Sequence, residues 1–332
     1  MTAVVHADVT PPPAAVGPDA PVKAPPWEPQ PRWSRHHDLL AVHMGATEVL
    51  RYTDGTGSPA FDAPRPHLHP LRTRGGVVLT DASPRDHTWH LGLSVGVQDV
   101  DGTNLWGGRT YLPEQGYTWR HDHGRVVHRS WLRRMPGTVA HLLTWLDPAG
   151  TPLLQEEREL SWSAVDDATW RLHLGVTLRL PAGPPNADER EPVALGSPGS
   201  NGRAQAGYGG VFCRLAPCRD VEVTTPLGSG EDAVHGSRPA DGAHWLAWRA
   251  TVEDRPVTVA VAPGDDVTAQ DPWFVRVSSY PGIGSALAWD RPLLVGEGSP
   301  VRRTFTWVFA DGRLPDHAVE AALAPGHRKD HR

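Results

Sequence analysis

The chain has 332 residues, 34 of them Gly and 34 Pro, with 14 Trp beside 5 Phe and 5 Tyr and a formal net charge of -6. So many helix-breaking residues exclude a helical bundle, a coiled coil or a helical solenoid, and favour short strands joined by turns. A hydrophobic content of 39% still allows a sizeable core, and the acidic balance leaves no basic field for nucleic acid or an anionic membrane.

Residues 1–33 are Pro/Ala-rich, with Pro11-Pro12-Pro13 and Pro25-Pro26, and read as a disordered, polyproline-like leader. Strand candidates follow at 38–43, 47–53, 90–98, 125–133, 138–146 and 156–162. The clearest runs from Trp170 to Leu180, where Trp, Leu and Val alternate with Arg171, His173, Gly175, Thr177 and Arg179. Residues 181–207 are polar and rich in Gly and Pro, and read as a long loop or flap. Further strands are expected at 219–224, 244–252, 257–262, 274–279 and 302–309. Asp54-Gly55, Asp101-Gly102, Pro263-Gly264 and Asp311-Gly312 mark turns between them. Only Asp316–Leu323 reads as a helix, and the chain closes on a polar tail.

These elements predict an all-β fold: a large antiparallel two-sheet supersandwich of the kind used by sugar mutarotases, over 34–314 as one domain, with 315–332 as helix and tail. The most apolar stretch, Val257 to Ala262, is far short of the ~20 residues of a membrane helix. No signal-peptide pattern opens the chain. Two cysteines, Cys213 and Cys218, make neither a disulfide scaffold nor a four-cysteine zinc site, and read as thiols in a reducing cytoplasm.

Residues 65–124 concentrate the polar chemistry: Arg65, His67, His69, Arg72, Asp86, His87, His90, Asn104, Trp106, His121 and His123. If 90–98 is a strand, Leu91 to Val97 face the core. His90 then shares the other face with Gly92, Ser94, Gly96 and Gln98, a bare surface for a flat polar ligand. The Asp86-His87 pair beside His90 is a candidate acid/base group. His121 and His123, two apart, would point the same way on a strand, as metal ligands or as surface polar residues. Glu156, Glu157, Arg158 and Glu159 fit a solvated, charge-paired strand face. Some of the Trp residues, Trp89, Trp106 and Trp273 among them, could stack on a sugar ring. No Gly-x-Ser-x-Gly, His-Glu-x-x-His or nucleotide fingerprint is present.

The spaced motifs together resemble one known family. They are Arg65-Pro66, His69-Pro70-Leu71-Arg72-Thr73, Asp86-His87-x-x-His90-x-Gly92-Leu93, Asp99-Val100-Asp101-Gly102-x-Asn104-x-Trp106-Gly107, Glu156-x-Arg158, Gly207-Tyr208-Gly209-Gly210 and Trp273-x-x-Arg276. The family is an uncharacterised soluble bacterial one labelled "methane oxygenase PmoA", and the resemblance spans roughly 38–313. The membrane subunit of that name is an integral membrane protein, so the label is not taken as a function. Members associated with Gfo/Idh/MocA-type sugar dehydrogenases imply a small-molecule carbohydrate context. The family often has His after the Trp of the late motif, where this chain has Phe274.

The resulting expectation is an enzyme acting on a sugar or keto-sugar as epimerase, lyase or hydrolase. Asp86, His87, His90 and Glu156 would be catalytic, and Arg65, Arg72, Asn104, Trp106 and Arg276 would bind substrate. A divalent metal on His87, His90 and Glu156, or involving His121 and His123, is a variant. The alternatives are a non-catalytic carbohydrate-binding or accessory subunit and, resting only on the inherited label, a metal-dependent oxygenase.

Overall fold

A computed structural model describes residues 38–182 and 190–324; the Pro-rich leader and the polar tail lie outside them. Two antiparallel sheets dominate. The first has seven strands, in spatial order Asp38–Met44, Thr47–Thr53, His67–Leu71, Leu93–Gly96, Gly210–Arg214, Gly282–Ala286 and Trp273–Arg276. The second has nine, running from Gly228–Ser229 through Arg219–Thr225, Leu246–Val252, Arg255–Pro263, Val301–Asp311, Thr169–Arg179, Pro152–Ala164 and Thr138–Leu146 to Arg125–Met135. This is the expected all-β, two-sheet supersandwich. No helix among the described residues is long and apolar enough to cross a membrane.

Period-2 patterning explains how the sheets face each other. Trp170, Leu172, Leu174, Val176 and Leu178 are buried while Arg171, His173, Gly175 and Thr177 point outward. Leu93, Val95 and Val97 join the same core, as do Val211 and Cys213 from the adjacent strand. Each such aliphatic contributes ~1.5–3 kcal/mol when taken out of water. The helix Asp316–Leu323 forms as expected and lays Val319, Ala322 and Leu323 against Trp245, Ala247, Ala260 and Val308 on the nine-stranded sheet.

Several sequence expectations are corrected. The strand expected over 90–98 is confined to Leu93–Gly96, because Gly92 takes a left-handed φ of 53° and turns the chain. Of the loop expected over 181–207, residues 183–189 lie outside the described residues, and within 190–207 Val193–Gly196 pairs with Asp99–Val100 and Leu293–Val295 in a three-stranded sheet. A second helix, Glu231–Val234, was not foreseen. Glu156 and Arg158 do not form a solvated face. In the strand Pro152–Ala164 they share the inward phase with Leu154 and Leu160, at 0% and 2% exposure.

Candidate functional site

The seven-stranded sheet turns one face to the nine-stranded sheet and the other to a second, aromatic cluster. Register pairs Ser94 with Phe212, Phe212 with Gly284, and Gly284 with Phe274, so these four form one row across that outer face. The next row carries Arg214, Gly282 and Arg276. Trp89, Trp106, Phe212 and Phe274 are buried in this cluster, with Trp119, Tyr208, Tyr280 and Trp289 packed against them.

The histidine motif stands at one end of the wall, on a turn rather than a strand. His87 N–H donates to Pro84 O and His90 N–H to His87 O, two successive i to i+3 turns. Such turns bring side chains at i and i+3 to the same side. The rings of His87 and His90 accordingly stack, with centroids 4.6 Å apart and planes 15° from parallel. The Asp-His-x-x-His spacing thus has a direct geometric meaning.

Hydrogen bonds decide the protonation of both rings. Asp86 Oδ2 lies 3.0 Å from His87 Nδ1; a carboxylate only accepts, so Nδ1 carries a hydrogen, and in the neutral ring Nε2 presents a lone pair. Arg214 Nη1 lies 3.4 Å from His90 Nδ1; a guanidinium only donates, so His90 carries its hydrogen on Nε2. Burial foremost, with the charges of Arg214 and Arg65, pushes the His90 pKa well below its ordinary value and keeps that ring neutral. Arg214 Nη2 also donates to both Asp86 oxygens, at 3.2 and 3.0 Å. Burial alone would raise the Asp86 pKa, but the bond from His87 and the Arg214 charge outweigh it and leave the carboxylate far below its usual range. Tyr280 closes the group: its ring lies 4.8 Å from His87 and 4.9 Å from His90, with the Arg214 guanidinium 5.0 Å from its centroid.

The other predicted residues divide. Trp106 lies in the wall, 5.8 Å from His90 and 5.1 Å from Tyr208. Asn104 shapes the turn beneath it, its side-chain oxygen accepting from the backbone of Trp106 and Gly107. Arg65 is fully buried and spends its guanidinium on the carbonyls of Asp62, Ala63, Trp106 and Trp89 and on Ser94 Oγ, so it is a scaffold residue rather than a substrate ligand. Burial pulls its pKa down to about 9. The glycine face expected to lie bare is covered: a Cβ on Gly96 would meet Leu105 O at 2.8 Å and Arg65 Nε at 3.0 Å. Arg276 lies farther along the wall, its guanidinium over Phe274 and 3.5 Å from Glu231. An imidazole does stand beside Phe274, brought from another segment: His235 contacts that ring at 5.1 Å and Trp289 at 5.0 Å.

Glu156 and Arg72 are elsewhere. Glu156 accepts from Arg158 Nε at 2.6 Å and Trp145 Nε1 at 2.7 Å inside the core, and Arg72 pairs with Glu48. The metal sets drawn from the sequence do not assemble. Among the described residues no three His, Cys, Asp or Glu side chains converge to hold an ion. His121 and His123 occupy no strand; His123 is buried, with Nε2 2.6 Å from Gly108 O, while His121 is exposed.

Sequence reading missed Arg214, Phe212, Tyr208 and Tyr280. The alternation of Gly210–Arg214, with Val211 and Cys213 inward and Phe212 and Arg214 outward, was a usable signal over too few residues to stand out.

Residues 40–324 match the family described as Family of unknown function (DUF6807). The chain belongs to this family. Within the DUF6807 match lie every member of the aromatic wall and the Asp86-His87-His90 turn. No curated protein sequence matches the chain. Among solved structures, a putative aldose 1-epimerase from Escherichia coli K12 is similar at 10% identity and a TM-score of 0.31, covering 84% of this chain and 99% of that one.

Proposed function

We propose that this DUF6807 protein binds a carbohydrate against its aromatic wall and moves a proton on it by paired imidazoles, as an epimerase or lyase does next to a carbonyl. The observation that carries the reading is the complementary protonation of two stacked rings: Nε2 of His87 is a base, and Nε2–H of His90 is a donor.

In this scheme His87 Nε2 takes a proton from carbon next to a carbonyl; the C–H electron pair forms the C=C bond of an enolate, and the carbonyl π pair moves onto its oxygen. Asp86 holds the ring and stabilises the imidazolium that forms. His90 donates to the developing oxyanion; a neutral imidazole suits this role, because its buried ring resists taking a second proton. Arg214 acts through Asp86 as a positioning residue. Trp119 and Tyr280, both half-buried, offer apolar faces to the C–H side of a sugar.

The test is turnover of keto-sugars and aldoses by wild type, His87→Asn and His90→Asn, with binding followed by tryptophan fluorescence. Loss of turnover with retained binding supports the reading. Unchanged turnover in His87→Asn refutes it. The same aromatic wall favours one second reading, a carbohydrate-binding protein without catalysis; binding with no turnover of any candidate by wild type would select it.

A further inference from the structure

The far side of the wall carries two arginines without a carboxylate partner among the described residues. Arg214 and Arg276 face Asp86 and Glu231. Arg203 and Arg109, both half-buried, have no carboxylate partner among the described residues; each lies over an aromatic ring instead. Arg203 is 4.9 Å from the centroid of Tyr117, and Arg109 is 6.0 Å from that of Trp119. Tyr117 belongs to the hairpin Thr110–Leu112 with Gly116–Thr118.

A hydrogen count sharpens this. Arg203 Nη1 donates to the Tyr117 hydroxyl at 2.7 Å, and that hydroxyl lies 3.1 Å from the Tyr208 hydroxyl. Gln98 Nε2 donates to Tyr208 at 2.7 Å; the Arg109 carbonyl, an acceptor only, lies 3.2 Å from the same nitrogen and fixes the amide orientation. Donors therefore enter this chain from both ends. The single contact between the two phenols uses one of their hydrogens, and no hydrogen bond among the described residues takes the other; the buried Gln98 Oε1 likewise has no donor. Burial raises the pKa of both phenols and keeps them protonated. A ligand here meets a spare phenol hydrogen beside two guanidinium groups, and can also donate to Gln98 Oε1.

This corner adjoins the imidazoles. Tyr208 touches Trp106, which touches His90, and the Tyr280 ring that packs on both histidines is within electrostatic range of Tyr117, Arg214 and Arg276.

We infer that the ligand is an acidic saccharide, whose carboxylate or phosphate is received by Arg203, Arg109 and the spare phenol hydrogen. Hydrogen bonds that join a guanidinium or phenol to an anion are the strong ones, and an aromatic face holds the adjoining ring. The inference rests on the reading of the wall as a carbohydrate site, and it names the class of sugar.

The experiment uses the full chain and tryptophan fluorescence or calorimetry with galacturonate, digalacturonate, galactose 6-phosphate and galactose. At least one acidic ligand should bind tenfold or more tightly than galactose, and less tightly as salt is raised. Digalacturonate winning marks a carboxylate, and the phosphate ester winning marks a phosphate. In Arg203→Gln, and separately in Arg109→Gln, the preference for the acidic ligand over galactose should fall severalfold. Equal affinity for acidic and neutral ligands, no binding of the acidic ones, or a preference kept in both variants overturns the inference. His87→Asn separates the two proposals. If it abolishes turnover while acidic and neutral ligands bind alike, the proton-transfer reading stands and the acidic-sugar inference falls; turnover kept with an acidic preference gives the reverse.

Discussion

Asp86 bonds to His87 and not to His90, although the two imidazoles lie face to face with centroids 4.6 Å apart. One carboxylate therefore fixes one ring as a base, and Arg214, reaching both Asp86 and His90, fixes the other as a donor.

Replacing Asp86 by Asn reverses that assignment. The amide donates to His87 Nδ1 and forces the hydrogen onto Nε2, so no lone pair faces the wall. Turnover should fall by roughly 10²–10⁴, the usual worth of a general base, with ligand affinity changed little. A kcat against pH series checks it; an Asn variant as active as wild type would remove His87 from the role of base.

Glu156→Gln should act on stability. It leaves Arg158 charged and buried, its remaining bonds being to Tyr52 and Pro66 O. Breaking one partner of a buried pair costs about 3–5 kcal/mol, which urea unfolding would read. Replacing Glu156 and Arg158 together by Met should recover much of that loss. Turnover by the folded fraction should be unaffected, since Glu156 lies in the core.

Acid sensitivity should trace to buried imidazoles. His141 is fully buried between His128 and the Tyr52 hydroxyl, and burial together with the Arg158 charge lowers its pKa to about 2. The folded state thus binds fewer protons than the unfolded state, whose histidine titrates near 6.5. Stability should therefore fall as pH drops below 6.5, by up to about 1.4 kcal/mol per pH unit for this residue. His90, also lowered, adds in the same direction. Urea midpoints at pH 7, 6 and 5 for wild type and His141→Gln should give a shallower slope in the variant; parallel slopes would show that His141 is not the source.

Gly96→Ala tests the close packing under the wall. The added methyl would press on Leu105 O and Arg65 Nε, at 2.8 and 3.0 Å. Overpacking of this kind costs about 1–3 kcal/mol, and the shift of Arg65 should carry to Trp106, whose carbonyl it holds. A lowered melting temperature with altered tryptophan emission is expected. A variant as stable as wild type would mean that the segment over Gly96 is loose.

Much of the fold was legible because burial imposes a period on strands. The Trp170–Leu178 alternation and the helix Asp316–Leu323 could be read from spacing, since each element's own face decides them. The site was legible only in part. Asp86, His87 and His90 are close in sequence and close in space, so their spacing carried the meaning. Arg65 and Glu156 looked equally chemical, yet their partners come from distant segments: Arg65 meets Trp89 and Trp106, and Glu156 meets Trp145. No local pattern distinguishes a guanidinium spent on carbonyls from one offered to a ligand.

The Gly and Pro content by itself determined that this chain builds sheets from short strands and many turns, because those residues interrupt helices wherever they fall. The spacing also set His90 beside a glycine-containing strand, although it put the histidine on that strand rather than on the turn before it. Only the tertiary structure decided what that strand's outer face does. The glycines there admit Arg65 and its neighbours rather than a ligand, and the open chemistry shifts to the turn beside them. Strand pairing sets this: Ser94, Phe212, Gly284 and Phe274 come from four separate strands, and they meet in one row only when the sheet closes their register.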